Sequence, residues 1–189
     1  VIFTGSATEA NNLALRGGVK KFKERNPGVV PKIIVSAIEH ESVLATARDL
    51  AREGAELFVA PVNREGAVDT RAIQKALDDR VATVSVIYAN NEVGSIQPVA
   101  AIAKIIREFR ESHVNGQLSN VAAIWPLFHT DAAQAFQFLD CNPESLGVDL
   151  MTLSAHKIYG PKGTGVLYVK QETKKGGPPF SLASESISH

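Results

Sequence analysis

Apolar, β-branched runs recur along the chain, separated by stretches in which apolar residues return every three or four positions. The runs are Val1–Thr4, Lys32–Ser36, Glu56–Val62, Thr83–Ala89, Ala123–Thr130, Asp149–Ser154 and Gly165–Lys170. Most lack the alternation of polar and apolar residues that marks a half-buried strand, so they predict strands covered on both faces. Between them, Val43, Leu44, Ala47, Leu50 and Ala51 share one face at helical spacing, as do Ile102, Ile105, Ile106 and Phe109. Strands alternating with helices predict an α/β fold with a mostly parallel sheet. Only "AHKIYGPKGT" separates the last two runs. That is too short for a helical crossover and predicts an antiparallel pair. "SHVNGQLSN" at Ser112–Asn120 reads as a polar loop. The stretch 171–189, rich in Gly, Pro and Ser without periodicity, reads as an irregular tail.

Composition narrows the class. The chain has 189 residues, 44% hydrophobic and 21% charged, which fits one domain with a packed core. Lys+Arg and Asp+Glu are both 20, so no general electrostatic attraction to nucleic acid or to an anionic membrane is expected. No apolar run approaches the ~20 residues that span a bilayer. The opening "VIFTGSATEANN" lacks the basic start of a signal peptide and reads as a strand already under way. The expectation is a chain that begins inside a domain. Cys141 is the single cysteine. It cannot build a disulfide framework or a cysteine-based metal site, and it fits a reducing, cytoplasmic compartment.

The carboxyl ends of parallel strands are where ligands bind, and here those ends carry chemistry. After the first run, Gly5 leads into Ser6-x-x-Glu9, a capping box that starts a helix. A helix N-terminus after a glycine offers free N–H groups to a phosphate, and Thr8 adds a hydroxyl. Alone, this is equally a capped helix with no ligand. His40 follows the second run and by itself reads as a surface or capping residue. Asn90 and Asn91, with Gly94 and Pro98 beyond, offer amides to a ligand or simply make a turn. Asp131 ends the fifth run with Gln134 three residues on, and a carboxylate buried there needs a partner. Alternation puts His129 on the same side as Asp131. As a metal pair these two are a weak signal, and no metal is expected. Last come Ser154, His156 and Lys157. By itself Lys157 is a solvated surface charge; enclosed by protein, a lysine amine is a nucleophile toward carbonyls.

Together these ends change the reading. A phosphate site, an imidazole, a carboxylate and a lysine at the ends of strands in one sheet meet the needs of pyridoxal 5′-phosphate (PLP). That cofactor takes a lysine for its Schiff base and an acid opposite its pyridinium nitrogen. It also takes an anion site for its phosphate and a flat group against its ring.

"FTGSATEANNLALRG", "IEHESVL", "NNEVGSIQP", "HTDAAQ" and "LSAHKIYGPKGTGVLYV" resemble, in this order, the cysteine desulfurases and the related selenocysteine lyases. These belong to the class V aminotransferase group of fold-type I PLP enzymes. The resemblance runs from residue 1 to about residue 170. It implies the large PLP-binding domain of that fold type over residues 1–170, a seven-stranded, mixed, mostly parallel sheet flanked by helices. It further implies Lys157 as the Schiff-base lysine and Asp131 as partner of the pyridinium nitrogen. His40 would stack on the ring and assist proton transfer, and Gln134 would bond the phenolic oxygen. Asn91 would contact the ring side of the cofactor or the substrate. Ala7 through its N–H, Thr8, Ser154 and His156 would hold the phosphate. The implied activity converts L-cysteine to L-alanine and an enzyme persulfide. Its partners would be a sulfur acceptor or iron–sulfur scaffold protein and a second copy of the enzyme in a homodimer.

Three departures qualify the resemblance. The family reads Ser-Gly before Ala-Thr-Glu, whereas this chain has Gly5-Ser6. The family's persulfide-forming cysteine lies on a loop far downstream of the lysine, and Cys141, which precedes Lys157, matches no such cysteine. The arginine for the substrate carboxylate and the phosphate contact from the neighbouring subunit also belong to that downstream region. The expectation is a fragment that lacks a leading segment and the small C-terminal domain, able to hold PLP and inactive in desulfuration. The alternatives are a selenocysteine lyase, another class V PLP enzyme, or a non-catalytic remnant of the same fold. A nucleotide-binding domain would want G-x-G-x-x-G after the first strand, and "TGSATE" does not supply it.

Overall fold

The computed structural model describes residues 1–114 and 125–171. Most of the predicted polar loop, the first two residues of the run Ala123–Thr130, and the tail from residue 172 lie outside the described residues. In chain order the elements are β1 (Ile2–Thr4), α1 (Ala7–Arg25), β2 (Lys32–Ser36), α2 (Glu41–Arg52), β3 (Glu56–Ala60), α3 (Thr70–Ala76) and β4 (Val81–Ser85). There follow β5 (Ala89–Asn90), β6 (Ser95–Ile96), α4 (Val99–Val114), β7 (Leu127–Asp131), α5 (Pro143–Leu146), β8 (Leu150–Ser154) and β9 (Gly165–Val169). One turn of 3-10 helix, Ala155–Ile158, joins β8 to β9.

Seven strands make one sheet in the order β1-β9-β8-β7-β4-β2-β3. The pairs from β8 through β7, β4 and β2 to β3 are parallel. Strand β9 runs against both its neighbours, β8 and β1. All seven predicted runs enter this sheet, and the last two are antiparallel as their short connection requires. The ends of some runs differ from expectation for local reasons. Strand β3 stops at Ala60 because Pro61 has no N–H to continue a ladder. Strand β4 ends at Ser85, though the Val86 and Tyr88 N–H groups still bond the His129 and Asp131 carbonyls, and Ala89–Asn90 pairs with Ser95–Ile96 in a small hairpin. The Asn90 side chain closes that hairpin by accepting the N–H groups of Glu92 and Val93, and Gly94 takes φ 70°. Pro126 precedes β7, which extends to Asp131.

Alternating residues of the sheet feed two cores. On one face Ile33, Val35, Ala82, Leu127 and Leu150 meet Ala14, Leu15 and Val19 of α1 and Val43, Ala47 and Leu50 of α2. On the other, Ile34, Val84, Phe128 and Met151 meet Ile73 of α3, Ile102 and Ile106 of α4 and Leu146 of α5. Burying a side chain of this size stabilises the fold by about 1.5–3 kcal/mol. This double burial is why the strands read as continuous apolar runs.

The Ser6 cap at α1 forms, with Glu9 reaching back one residue further than a capping box requires, to Gly5 and not to Ser6. The Ser6 hydroxyl accepts the Glu9 N–H at 3.1 Å, and the Glu9 carboxylate reaches back to the Gly5 N–H at 2.7 Å. The first N–H groups of α1, those of Ala7 and Thr8, therefore stand outside the helix's own ladder. This turn is held from below by β9. Gly165 pairs with Thr4, and a Cβ there would run into the backbone carbonyl of Ser6. Backbone cannot rotate aside as a side chain can. Gly165→Ala should destabilise the protein by about 2–3 kcal/mol through overpacking, measured by denaturant unfolding.

Candidate active site

The carboxyl ends of β1, β2, β7 and β8 and the loop after β4 surround a cleft of about 220 Å³. Its walls include Ala7, Thr8, His40, Asn91, Asp131, Gln134, Ser154, His156 and Lys157. Every residue singled out in the sequence for cofactor chemistry therefore borders one space. Ser6, the cap of the expected anion-binding turn, lines it too, as do Asn11, Ser42, Ile87 and Ala133, which the sequence did not single out. Asn11 had a signal that went unread: it lies one helical turn after Ala7 and so on the same face of α1.

Asp131 sits at the floor with 4% of its surface exposed. Burial pushes its carboxyl above the ordinary range, while the Ala133 N–H, the Asn11 amide and the His40 charge pull it back down. Ala133 donates to Oδ1 at 2.9 Å and the Asn11 amide to Oδ2 at 2.7 Å. The Asn11 amide nitrogen also lies 2.9 Å from the Ser42 hydroxyl. With both amide hydrogens used, the Ser42 oxygen accepts from Asn11 and its own hydrogen is free for His40 Nδ1, 2.8 Å away. The Ser42 N–H also donates to that nitrogen at 3.1 Å, so His40 is the N-cap of α2. Two donors on Nδ1 place the proton of the neutral imidazole on Nε2. A chain of directed bonds thus links the Asp131 carboxylate to the His40 ring. Asn11 is fully buried, and its Oδ1 has no hydrogen-bond partner.

Lys157 lies in the 3-10 turn that follows β8, half-buried. The turn closes through Tyr159 at φ 62°, whose N–H bonds the Ala155 carbonyl. A left-handed non-glycine residue costs about 1–2 kcal/mol, and such strain gathers at functional sites. Ser154, buried at the end of β8, has its hydroxyl 3.0 Å from His156 Nδ1. The two asparagines divide the work left open by the sequence. Asn90 is structural: it closes its hairpin and donates to the Ile38 carbonyl at 2.8 Å. Asn91 is exposed at the cleft wall.

His129 does share a side with Asp131, but it is no metal ligand. It is fully buried between the Ser85 hydroxyl, 2.9 Å from Nδ1, and the Thr152 hydroxyl, 3.0 Å from Nε2. Burial lowers its pKa to about 3. No group of three or more metal-ligating side chains occurs among the described residues. Cys141 is free and buried, and burial together with the nearby Asp140 charge raises its thiol to about 11.

The whole chain, residues 1–189, matches the Aminotransferase class-V family, and the protein belongs to it. Enzymes of this family depend on PLP. Among curated relatives, the cysteine desulfurase IscS of Dictyoglomus turgidum is 38% identical over 92% of this chain. The mitosomal cysteine desulfurase of Trachipleistophora hominis is 38% identical over 92%. The chain spans 39% and 36% of the lengths of these two relatives. Among solved structures, a NifS-like protein superposes with a TM-score of 0.76 at 35% identity, covering 93% of this chain and 43% of that one. SspA, solved in complex with cysteine, superposes with a TM-score of 0.72 at 33% identity, covering 89% and 43%.

Two outcomes test the geometry. Asn11→Ala should raise the Asp131 titration, read by carboxyl ¹³C NMR, and cost about 1.5–3 kcal/mol of stability for one lost bond to a charged group. Cys141 should resist maleimide in the folded protein at neutral pH and react fully once the chain is unfolded.

Proposed function

We propose that the cleft holds PLP and that this chain is the cofactor-binding part of a cysteine desulfurase, which takes sulfur from L-cysteine and leaves L-alanine. One observation carries the reading: a lysine amine, a buried carboxylate, an imidazole and a helix N-terminus border the same cleft of about 220 Å³. This donor set fits the cofactor. Lys157 would hold its aldehyde carbon and Asp131 would meet its ring nitrogen. His40 would lie against the ring, Gln134 would reach the phenolic oxygen and Asn91 would border the substrate. The N–H of Ala7, with Thr8, Ser154 and His156, would hold the phosphate; its negative charge suits the positive end of α1. When bound, the cofactor supplies an electron sink for the pair released at the substrate α-carbon.

Around the cofactor, this chain's own residues hold charge and move protons. The Ala133 and Asn11 donors stabilise the ionised form of Asp131 against its burial. With Nδ1 taken by Ser42, His40 presents Nε2–H as a hydrogen-bond donor. Lys157 Nζ carries a proton to and from the substrate, and the His40 Nε2–H assists. Cys141 is a poor candidate for the sulfur-taking thiol, being buried with a raised pKa.

The reading extends to partners. The names of the relatives support transfer of sulfur to an acceptor or iron–sulfur scaffold protein. Homodimerisation is supported by large side chains left bare close in sequence to the cleft residues: Phe136, Phe138 and Ile158, with Tyr159 93% exposed. No helix among the described residues is long and apolar enough to cross a membrane. The free Cys141 thiol fits a reducing, cytoplasmic setting.

Incubation with PLP followed by borohydride should leave the cofactor fixed to the peptide that contains Lys157, identified by mass spectrometry. Lys157→Ala should abolish the label, and L-cysteine should perturb the visible spectrum of the loaded protein. A label on another lysine, or none, would refute the assignment.

A further inference from the structure

Glu39 has no part in the scheme above, yet it is 5% exposed and immediately precedes His40. Its Oε1 accepts the Ser36 hydroxyl and the Ile87 N–H, the latter at 2.6 Å, which uses both lone pairs. Its Oε2 lies 3.5 Å from the Ser85 hydroxyl. Ser85 in turn meets His129 Nδ1, and His129 Nε2 meets Thr152. Thr152 is the register partner of Asp131 across β7 and β8, and His129 stands two residues before Asp131 on the same side of β7. A buried row of polar groups thus crosses three strands beneath the cleft and ends beside the floor carboxylate.

The row has two consistent directions. With a proton on Oε2, Glu39 donates to Ser85, Ser85 to His129 Nδ1, and His129 Nε2–H to Thr152. Every group is paired and none is charged. Without that proton, the three bonds reverse and a second carboxylate charge lies buried near Asp131. The titratable groups around Glu39 are Asp131 and His129 on β7 and His40 on its own loop. None of these is a fixed cation that would stabilise a second negative charge.

We propose that Glu39 is a positioning residue of the cofactor site: through Ser85, His129 and Thr152 it braces the floor without adding a charge beside Asp131, and through Ile87 it holds the cleft wall. The inference rests on Asp131 being the group that meets the cofactor's ring nitrogen. Glu39 Oε1 ties Ile87, a cleft residue, to the loop that carries His40, and Asn90 reinforces the tie through the Ile38 carbonyl. Burial, with the Asp131 charge adding to it, pushes the Glu39 carboxyl from 4.5 up to about 8. Burial also keeps His129 neutral, down at about 3. Both agree with the uncharged direction of the row. Glutamine reproduces that direction, since its oxygen accepts from Ser36 and Ile87 while its amide donates to Ser85.

The test is PLP binding to the full chain as a function of pH, with fluorescence giving the dissociation constant and borohydride labelling reporting attachment at Lys157. In the wild type, affinity should fall at least about threefold as the pH rises through about 8, as Glu39 ionises. Glu39→Gln should bind within about threefold of wild type at neutral pH and lose this Glu39-dependent fall. Glu39→Ala, which strands the Ile87 N–H, should bind at least about tenfold more weakly at every pH. A Gln variant as weak as Ala, or one that keeps the alkaline fall, overturns the proposal while the cofactor assignment stands. Absence of labelling at Lys157 in the wild type overturns both. In wild-type protein, ¹³C titration of Glu39 in the ordinary carboxylate range would overturn the proposal without recourse to any variant.

Discussion

The Asp131 carboxylate lies almost wholly out of water at the end of β7, where an unpaired charge would cost several kcal/mol. Much of the surrounding structure answers that constraint. Oδ1 is met by a backbone N–H two residues on, which needs only a local turn. Oδ2 is met by Asn11, which requires α1 to lie close against the sheet. Gly18, further along that helix, permits the approach, because a Cβ there would fall 2.5 Å from the Thr83 hydroxyl oxygen. The position of one helix, the orientation of one amide and the tautomer of His40 therefore follow together from burying one charge. Beneath it, burial acts on Glu39 in the same direction, raising its carboxyl to about 8, and holds the His129 imidazole neutral, down at about 3.

Strand direction explains why the remaining chemistry gathers where it does. The parallel strands discharge their loops at one edge, which brings His40, Asn91 and Asp131 together without any of them being close in sequence. Lys157 arrives differently. Strand β8 returns directly into β9, so the lysine stands on a hairpin connection and not at the start of a crossover helix. Tyr159 in the left-handed region tightens that connection, and Gly160 fits because a Cβ would sit 2.9 Å from the Ala155 carbonyl oxygen. The fold places the carboxylate and the imidazole by long-range packing and the amine by local chain geometry.

That division also explains what could be read from the sequence. The strands were legible because both faces are covered, and the antiparallel end because ten residues cannot make a crossover. Of the residues nominated from the strand ends, Thr8, His40, Asn91, Asp131, Gln134, Ser154, His156 and Lys157 border the cleft, whereas Asn90 and His129 serve the fold. Asn11, Ser42, Glu39 and the Ser85–His129–Thr152 row were not legible. The partners that join them to the site lie tens of residues away, and nothing local distinguishes a buried serine that bridges two strands from one that merely packs. The hairpin at Ala89–Ile96 was half legible: Asn and Gly announced a turn, but only the structure divides Asn90, which builds it, from Asn91, which faces the cleft.

The seating of the Ser6 turn on Gly165 has a consequence for the order in which the molecule becomes whole. The turn that offers Ala7 and Thr8 to an anion precedes its support, β9, along the chain, with strands β2 to β8 between them. At roughly 5–20 residues per second the interval between them is about 8–30 s. During that interval β1 lacks β9, its one neighbour in the sheet among the described residues. The anion-binding turn therefore waits, unsupported, on the strand that follows the lysine. A nascent chain can seat this turn only after β9 has been made, so the anion-binding side of the cleft is completed after the lysine side.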